Sequence, residues 1–270
     1  MIQQTTLIFT LCIGLFVYFC TTLGSACVFL LKKNAKPSYV RLTLGFSAGI
    51  MLAASIFSLI MPAIEYSPYE GIFKTVPIIV GFSLGVLFLI GIDKSLPHLH
   101  LYASTPEGPK SHLNKHTLLF IALTIHNIPE GMALGVSAAA SDLQNTSIVA
   151  SCILALGIGI QNIPEGAAIS LPFFTEGETK LKSFVLGSLS GIVEPIAALL
   201  VLLLSDLLSS LLPWLLAFAA GAMMYVVIEE LIPQSHGSYN DNEEENSDIG
   251  TLSVLFGFLL MMFLDVSLGG

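Results

Sequence analysis

The sequence predicts an all-α integral membrane protein, an eight-transmembrane-helix bundle with both termini outside. Of its 270 residues, 54% are hydrophobic and only 11% are charged, and the mean hydropathy is +0.84. A soluble domain carries about 25% charged residues, so a soluble core of this length is a poor alternative. The apolar runs are about 20 residues long, which favours helices over the alternating strands of a membrane barrel.

Eight apolar segments follow one another along the chain. They lie at about 5–31, 40–62, 76–96, 117–140, 147–171, 183–204, 213–233 and 250–268. Because the connectors are short, we expect a single polytopic domain over residues 1–270. The first segment has no basic region before it and no clear cleavage site, which favours a retained span over a removed signal peptide.

The basic residues predict the orientation of the bundle. If the N-terminus is outside, nine of the ten basic residues fall in cytoplasmic connectors, and only Lys74 does not. The nine are Lys32, Lys33, Lys36, Arg41, Lys94, Lys110, Lys115, Lys180 and Lys182. Since positive charge is retained on the cytoplasmic side, we expect extracytoplasmic N- and C-termini and a multi-pass location in the plasma or inner membrane.

Charge and cysteine content exclude several classes of partner. The formal net charge of −9 argues against nucleic acid as a partner. The four cysteines, Cys12, Cys20, Cys27 and Cys152, all fall in apolar segments and form no CxxC pattern. We therefore expect buried thiols, and neither a disulfide framework nor a thiolate metal site.

A five-residue sequence, Asn-Ile-Pro-Glu-Gly, occurs twice inside apolar segments, at 127–131 and 162–166. Residues four apart share a helix face, so each copy aligns its glutamate with the residue just before the motif. Consecutive segments joined by a short loop are antiparallel neighbours, so the two faces can converge near mid-membrane. The side chains concerned are His126, Asn127 and Glu130 from one copy, and Gln161, Asn162 and Glu165 from the other.

Ionisable groups inside a membrane are costly, and they mark ion or proton pathways. Pro129 and Pro164 each lack an N–H and free a backbone carbonyl, which membrane helices tolerate only beside protein or a wet cavity. One imidazole with carboxylates and no sulfur suits Zn²⁺, with Cd²⁺, Fe²⁺ and Mn²⁺ as alternatives. A single membrane Pro, Asn or His is commonly a kink or a packing residue, but an exact repeat with carboxylates at the same offset favours a shared metal site.

Two later segments add candidate ligands. Glu194 precedes Pro195 inside the sixth segment, and we interpret it as a ligand, with a proton relay or helix packing as alternatives. The seventh segment ends in Glu229 and Glu230, with His236 just beyond. An exit-side metal site and a solvated helix end are equally favoured there, since acids at a helix C-terminus oppose the macrodipole.

Further polar residues have weaker signals. The loop after the third segment contains His98, His100, His112 and His116, which predicts either loose metal capture or an ordinary polar loop. We interpret Asp93 and Asp265 as helix-end or loop partners rather than ligands, and the acidic run at 241–248 as a solvated face. The small residues Gly45, Gly49 and Ala53 predict close helix packing.

These motifs together resemble the ZIP (Zrt/Irt-like) family of divalent-metal transporters. The resemblance comprises HNIPEG at 126–131, QNIPEG at 161–166, EP at 194–195 and EELIP at 229–233, and DKSLPHLH at 93–100 resembles the prokaryotic GufA-like subgroup. It extends over all eight segments. The two motif copies on adjacent segments are highly specific in combination.

The resemblance implies a binuclear site. One metal position would consist of His126, Glu130 and Glu165. The second would consist of Asn127, Gln161, Asn162 and Glu194, with Glu130 and Glu165 bridging. Glu229, Glu230 and His236 would lie near a cytoplasmic exit site. The bound metal would be cargo and not a cofactor, and many relatives carry His at the position of Gln161.

The expected function is zinc uptake toward the cytosol by alternating access. The resemblance implies a homodimer and an elevator-like shift of spans 1, 4, 5 and 6 against spans 2, 3, 7 and 8. A metal-regulated channel or sensor is the alternative. An intramembrane metallohydrolase would require a spacing such as His-Glu-x-x-His, which does not occur here, so no enzymatic activity is expected.

Overall fold

The computed structural model describes most of the chain, and every predicted apolar segment within it is helical. The described residues are 3–30, 37–99, 106–113, 115–144, 147–175, 177–207, 211–236 and 247–268. The helices are α1 Gln4–Ser25, α2 Pro37–Ala54, α3 Met61–Glu65, α4 Val76–Ser95, α5 Lys115–Leu143, α6 Val149–Thr175, α7 Lys180–Ser190, α8 Val193–Leu207, α9 Leu212–Val226, α10 Ile232–His236 and α11 Ser247–Leu268.

Short irregular turns extend several of these helices. The 3₁₀ turns Ala26–Phe29 and Gly71–Thr75 follow α1 and precede α4. The π turns Ser55–Ile60 and Val227–Leu231 join α2 to α3 and α9 to α10. A π turn adds a residue to one helical turn and therefore changes which side chains face inward.

Seven helical stretches are long and apolar enough to cross a membrane. They are Gln4–Phe29, Arg41–Glu65, Gly71–Ser95, Val149–Leu171, Lys180–Leu204, Leu212–His236 and Asp248–Leu268. Large apolar side chains such as Leu87 and Phe256 are exposed on their outer faces, as expected for contact with lipid. The protein is therefore an all-helical, multi-pass membrane protein. Helix α5 is not among the seven stretches, so eight crossings and the placement of the termini stay predictions.

The sixth predicted span is broken at residues 191–192, between α7 and α8. Pro195 has no N–H with which to reach the carbonyl of Gly191, and the Glu194 N–H donates to that carbonyl at 3.1 Å instead. Ile192 likewise bonds three residues back, to Leu189, at 3.2 Å. This tight turn ends one helix and begins the next, so Glu194 lies in the first turn of α8.

The helices pack in two groups. In one group α1 packs against α6 and α8, and α5 packs against α8; in the other α2 packs against α11, and α4 packs against α9. The groups meet where α2 contacts α6 and where α5 contacts α9. Both motif helices, α5 and α6, lie at this boundary.

The predicted small-residue stripe on α2 lies against α11. A methyl group built on Gly49 would overlap the backbone oxygen of Val254, and one on Gly45 would meet the Ser253 side chain. Ala53 is fully buried. The stripe is therefore a packing surface, as predicted, that brings two helix backbones into direct contact.

Replacing Gly49 by valine should separate α2 from α11. We expect a loss of about 1–3 kcal/mol, the usual cost of overpacking, seen as a lower midpoint of thermal unfolding in detergent. Gly91→Val is the matched control, because nothing lies within 4 Å of a methyl group built there. Equal losses in both variants would attribute the effect to helix propensity and contradict the packing role.

The prediction of buried cysteines is wrong for two of the four. Cys20 is buried and Cys27 is partly exposed, but Cys12 and Cys152 lie on the outer surface of the bundle. The outer surface of a membrane protein faces lipid, so an apolar surrounding does not require burial inside the protein. All four thiols are free, and the sequence predicted no disulfide framework.

Asp265 has the helix-end contact that was predicted for it. The Ser58 hydroxyl lies 2.9 Å from each of its carboxylate oxygens and donates to the carboxylate. This contact joins α11 to the π turn after α2. Most of the acidic run at 241–248 lies outside the described residues, and Asp248 is exposed in the first turn of α11.

Candidate metal site

The two motif faces converge between α5 and α6. His126, Glu130 and Glu165 each offer a ligand atom, and these three atoms lie within 4.8 Å of one another. All three side chains are buried, with Glu130 fully so. The Nε2 atom of His126 lies 3.7 Å from Oε1 of Glu165. The structure thus brings together the first predicted set of metal-binding residues.

Gln161 contacts the site from α6. Its side-chain Nε2 donates to Oε1 of Glu130 at 2.7 Å, and Gln161 itself is fully buried. The backbone carbonyl of Gln161 accepts a hydrogen bond from the Ser47 hydroxyl on α2 at 3.2 Å. Gln161 therefore holds one oxygen of Glu130 in place, and the motif backbone contacts the other group of helices.

A second cluster lies beside the first, between α1, α6 and α8. The side-chain Nδ2 of Asn162 donates to Oε1 of Glu194 at 2.9 Å. The hydroxyl of Thr21 also lies within hydrogen-bonding distance of that oxygen, at 3.1 Å. Glu194 is fully buried and lies in the first turn of α8, where the positive end of the helix dipole favours a carboxylate.

Six of the candidate ligands keep a buried side-chain oxygen atom that has no hydrogen-bond partner. These atoms are Asn127 Oδ1, Glu130 Oε2, Gln161 Oε1, Asn162 Oδ1, Glu165 Oε2 and Glu194 Oε2. Buried polar atoms are nearly always paired, because leaving one unpaired costs about 1–3 kcal/mol. Carboxylate and amide oxygens without a hydrogen-bond partner are ligand atoms that a divalent cation accepts.

The second feature of the site is its buried negative charge. The carboxylates of Glu165 and Glu194 are close enough to Glu130 to repel its charge, and Glu230 does the same to Glu165. Within the described residues, none of Glu130, Glu165 and Glu194 forms an ion pair with lysine or arginine. Uncompensated buried charge costs several kcal/mol per ion. A bound cation would offset the charge of these three carboxylates.

Glu230 enters the site from the opposite group of helices. Its Oε2 lies 3.4 Å from Nδ1 of His126, and its side chain is buried. The neighbouring Glu229 is exposed. The π turn at Val227–Leu231 determines this orientation, since it shifts the helical register at these two residues.

The predicted exit-side residues do not form one cluster. The Nε2 atom of His236 lies 3.0 Å from the Thr251 hydroxyl, and its Nδ1 lies 2.8 Å from the carbonyl of Ile232. His236 therefore contacts α11, Glu230 faces the main site, and Glu229 faces outward. Among the described residues, Glu229, Glu230 and His236 do not form a group whose ligand atoms lie within 4.8 Å of one another.

The histidine-rich loop contains a separate polar cluster. His98 Nε2 lies 2.9 Å from Asp93 Oδ1, so Asp93 has the loop partner that was predicted. Glu107 completes a group that could hold a metal ion, and its backbone pairs with that of His98. His98 is buried, whereas His112 is exposed. His100 and the side chain of His116 lie outside the described residues.

Two residues of these clusters were missed from the sequence. Thr21 is one of five threonines in α1, and nothing in its neighbours distinguishes it from Thr10 or Thr22. Glu107 is a loop carboxylate whose approach to His98 depends on the antiparallel pairing of the loop backbone. No periodicity or spacing could have found either residue.

Comparison with known proteins agrees with the geometry. The family model described as ZIP zinc transporter matches residues 109–265, which include both motif helices and the helices after them. The chain is 37% identical over 242 residues to the zinc transporter GufA of Myxococcus xanthus, covering 88% of this chain and 89% of that protein.

Two further relatives extend the comparison. The human zinc transporter ZIP11 is 32% identical over an alignment of 349 positions that covers all of both chains. The zinc transporter ZIPB of Bordetella bronchiseptica is 36% identical over 230 residues, covering 84% of this chain and 71% of that protein. With its paired motifs and its buried carboxylate cluster, the chain belongs to the ZIP family and has a GufA-like bacterial relative.

Proposed function

We propose that this protein transports divalent transition-metal ions across a membrane, with zinc as the expected substrate. The observation that carries the proposal is the buried cluster of carboxylates with one imidazole and several unpaired oxygens. An imidazole beside carboxylates suits borderline metals such as Zn²⁺. The relatives from Myxococcus xanthus and human are themselves named zinc transporters.

The site is proposed to hold two ions. His126, Glu130 and Glu165 would bind the first, because their ligand atoms already lie together. Asn127, Gln161, Asn162 and Glu194 would bind the second, with Glu130 and Glu165 shared. Each glutamate retains one unpaired oxygen that a second ion could use. The charges of the carboxylates offset those of the ions where water is scarce.

Alternating access is the proposed mechanism, with the helix group of α1, α5, α6, α7 and α8 moving against the rest. The division of contacts between the two groups supports this proposal. Two polar contacts cross the boundary at the site, from Ser47 to the carbonyl of Gln161 and from Glu230 to His126. An elevator-like shift of one helix group against the other must break both contacts and replace them with new ones.

Release is proposed to proceed from the main site past Glu230 and then past Glu229 and His236. Glu230 supports the first step, because its carboxylate already faces His126. We further propose that uptake is toward the cytosol and that both termini are extracytoplasmic. The protein is also proposed to be a homodimer in the plasma or inner membrane. Cd²⁺, Fe²⁺ and Mn²⁺ are further candidate substrates, since they accept the same oxygen and nitrogen ligands.

A metal-regulated channel or sensor is the second candidate, because a regulatory site could use the same ligands. Measurement of metal flux distinguishes the two candidates. A carrier gives uptake that saturates with metal concentration, whereas a channel gives unitary currents. A metallohydrolase has less support. The relatives are named transporters, and the required His-Glu-x-x-His spacing is absent from the chain.

The test is zinc uptake by the purified protein in proteoliposomes. We expect saturable uptake that declines as the external medium is made acidic, because the carboxylate and imidazole ligands bind metal only when they are deprotonated. Protein-free vesicles measure the leak. Absence of uptake above that leak would contradict transport, and large unitary currents would favour the channel.

A further inference from the structure

Thr21 connects α1 to the second half of the site. It is buried, at 1% exposure, and its hydroxyl accepts a hydrogen bond from Nδ2 of Asn162 at 2.9 Å. The same hydroxyl has two acceptors for its single proton, Oε1 of Glu194 at 3.1 Å and the carbonyl of Val17 at 3.3 Å. Thr21 thus contacts both of the polar side chains that face it.

The hydrogen bonds of this cluster determine which atoms remain available to a ligand. Both N–H groups of the Asn162 amide are used, one by Thr21 and one by Glu194. Oε1 of Glu194 accepts from Asn162 and Thr21. The atoms left without a partner are Oδ1 of Asn162 and Oε2 of Glu194, and both are buried.

The Glu194 carboxylate determines which end of the Asn162 amide faces it, and Thr21 adds a second contact to the same NH₂ group. An amide can be rotated end for end at little cost unless its neighbours distinguish donor from acceptor. The carboxylate oxygen of Glu194 and the hydroxyl oxygen of Thr21 each accept a hydrogen bond from Asn162. Each of these oxygens therefore requires the NH₂ end of the amide. If the hydroxyl were absent, one buried N–H of Asn162 would lose its acceptor, so the amide would be less firmly held.

The backbone around Thr21 allows this close approach. Gly191, at the turn between α7 and α8, lies directly beside it, and an added methyl group would be 3.0–3.1 Å from the Thr21 side chain. Gly166 of the second motif lies against the backbone of Thr21. The turn that places Glu194 at the start of α8 therefore packs directly on the threonine.

We infer that Thr21 is a positioning residue, which orients Asn162 and Glu194 so that their free oxygens form the second cation position. This inference rests on the proposed function for the identity of the ions. It adds a residue of α1 to a site otherwise built from α5, α6 and α8. Because the atoms that it leaves free are both oxygens, this position suits harder divalent cations than the position beside His126 does.

The test is calorimetric titration of the purified full-length protein in detergent with Zn²⁺, for wild type, Thr21→Val and Thr21→Ser. We expect two ions per wild-type chain. Valine matches threonine in shape but lacks the hydroxyl, so it should weaken the second ion by about tenfold to a hundredfold, the usual effect of removing an outer partner of a metal ligand. Serine should restore it, and the first ion should bind as in wild type.

Thr10→Val is the matched control. Thr10 is also fully buried on α1, but among the described residues its hydroxyl bonds to the carbonyl of Thr6, one turn away, and to no other group. We expect Thr10→Val to bind both ions as wild type does. Full binding of both ions by Thr21→Val, equal losses in Thr10→Val, or loss of both ions together would each overturn the inference.

The inference and the proposed function fail separately. Two bound ions without vesicle uptake would contradict transport and leave the role of Thr21 standing. Vesicle uptake together with wild-type binding by Thr21→Val would contradict the role of Thr21 alone. A single cooperative thermal unfolding transition in both metal-free variants separates positioning from loss of the fold.

Discussion

Replacing Glu130 by glutamine should abolish metal uptake while leaving the protein folded in the membrane. Glu130 is fully buried and contributes a ligand atom beside His126 and Glu165. Removing one charge from a buried set that a metal must neutralise costs about 3 kcal/mol or more, which is about a hundredfold or more in affinity. Zinc uptake by proteoliposomes measures the loss.

The same variant should not destabilise the metal-free protein. Glutamine has nearly the shape of glutamate, and it removes the repulsion from Glu165 and Glu194. Its carbonyl oxygen can still accept from Nε2 of Gln161. We therefore expect a midpoint of thermal unfolding at or above that of wild type in the absence of metal. Replacing a functional group commonly raises stability at the expense of function.

Two controls make this result specific. Glu70→Gln removes one carboxylate from an exposed loop and should transport as wild type does. Glu165→Gln should fail in the same way as Glu130→Gln, because its carboxylate completes the same group. Full uptake by Glu130→Gln would contradict the site, and a fall in its stability would indicate a structural role for Glu130 instead.

The helices were largely predictable from the sequence, because hydrocarbon thickness and backbone hydrogen bonding leave few alternatives for a long apolar segment. The convergence of the two motif faces was also predictable, from the i, i+4 spacing and the short loop. The break in the sixth segment was not identified, although Gly191 and Pro195 are its cause. Glycine and proline also occur in unbroken helices of this chain, such as α5 with Pro129.

What could not be predicted depends on helix register and on contacts between distant segments. Glu229 and Glu230 are adjacent in sequence, and both lie in a π turn, where the register of a regular helix no longer predicts which of them faces the site. Thr21 lies beside Asn162 and Glu194 because glycines such as Gly166 and Gly191 let α1 approach α6 and the start of α8. A sequence pattern predicts the face of a regular helix, but it does not predict an irregular turn or a partner 141 residues away.

Replacing Gln161 by histidine should change which metal the protein prefers. Gln161 is fully buried, donates to Glu130 and keeps a free Oε1 in the site. An imidazole here would add a nitrogen ligand and release the second oxygen of Glu130. Nitrogen ligands favour Zn²⁺ over Mn²⁺, so we expect zinc affinity to rise relative to manganese by about tenfold, the scale on which a metal's partners alter affinity.

Competition between Zn²⁺ and Mn²⁺ during vesicle uptake measures this change. Gln161→Leu is the matched control, because its side chain has neither a hydrogen-bond donor nor a metal-binding atom. If loss of the bond to Glu130 were the whole cause, leucine would change the ratio as histidine does. An unchanged ratio in Gln161→His would contradict a role in selectivity.

A tighter zinc site can also release its ion more slowly, so the histidine variant should reach its maximal rate at lower zinc and turn over more slowly. That combination would indicate that Gln161 lowers zinc affinity to allow release, since a carrier must free its cargo as well as bind it.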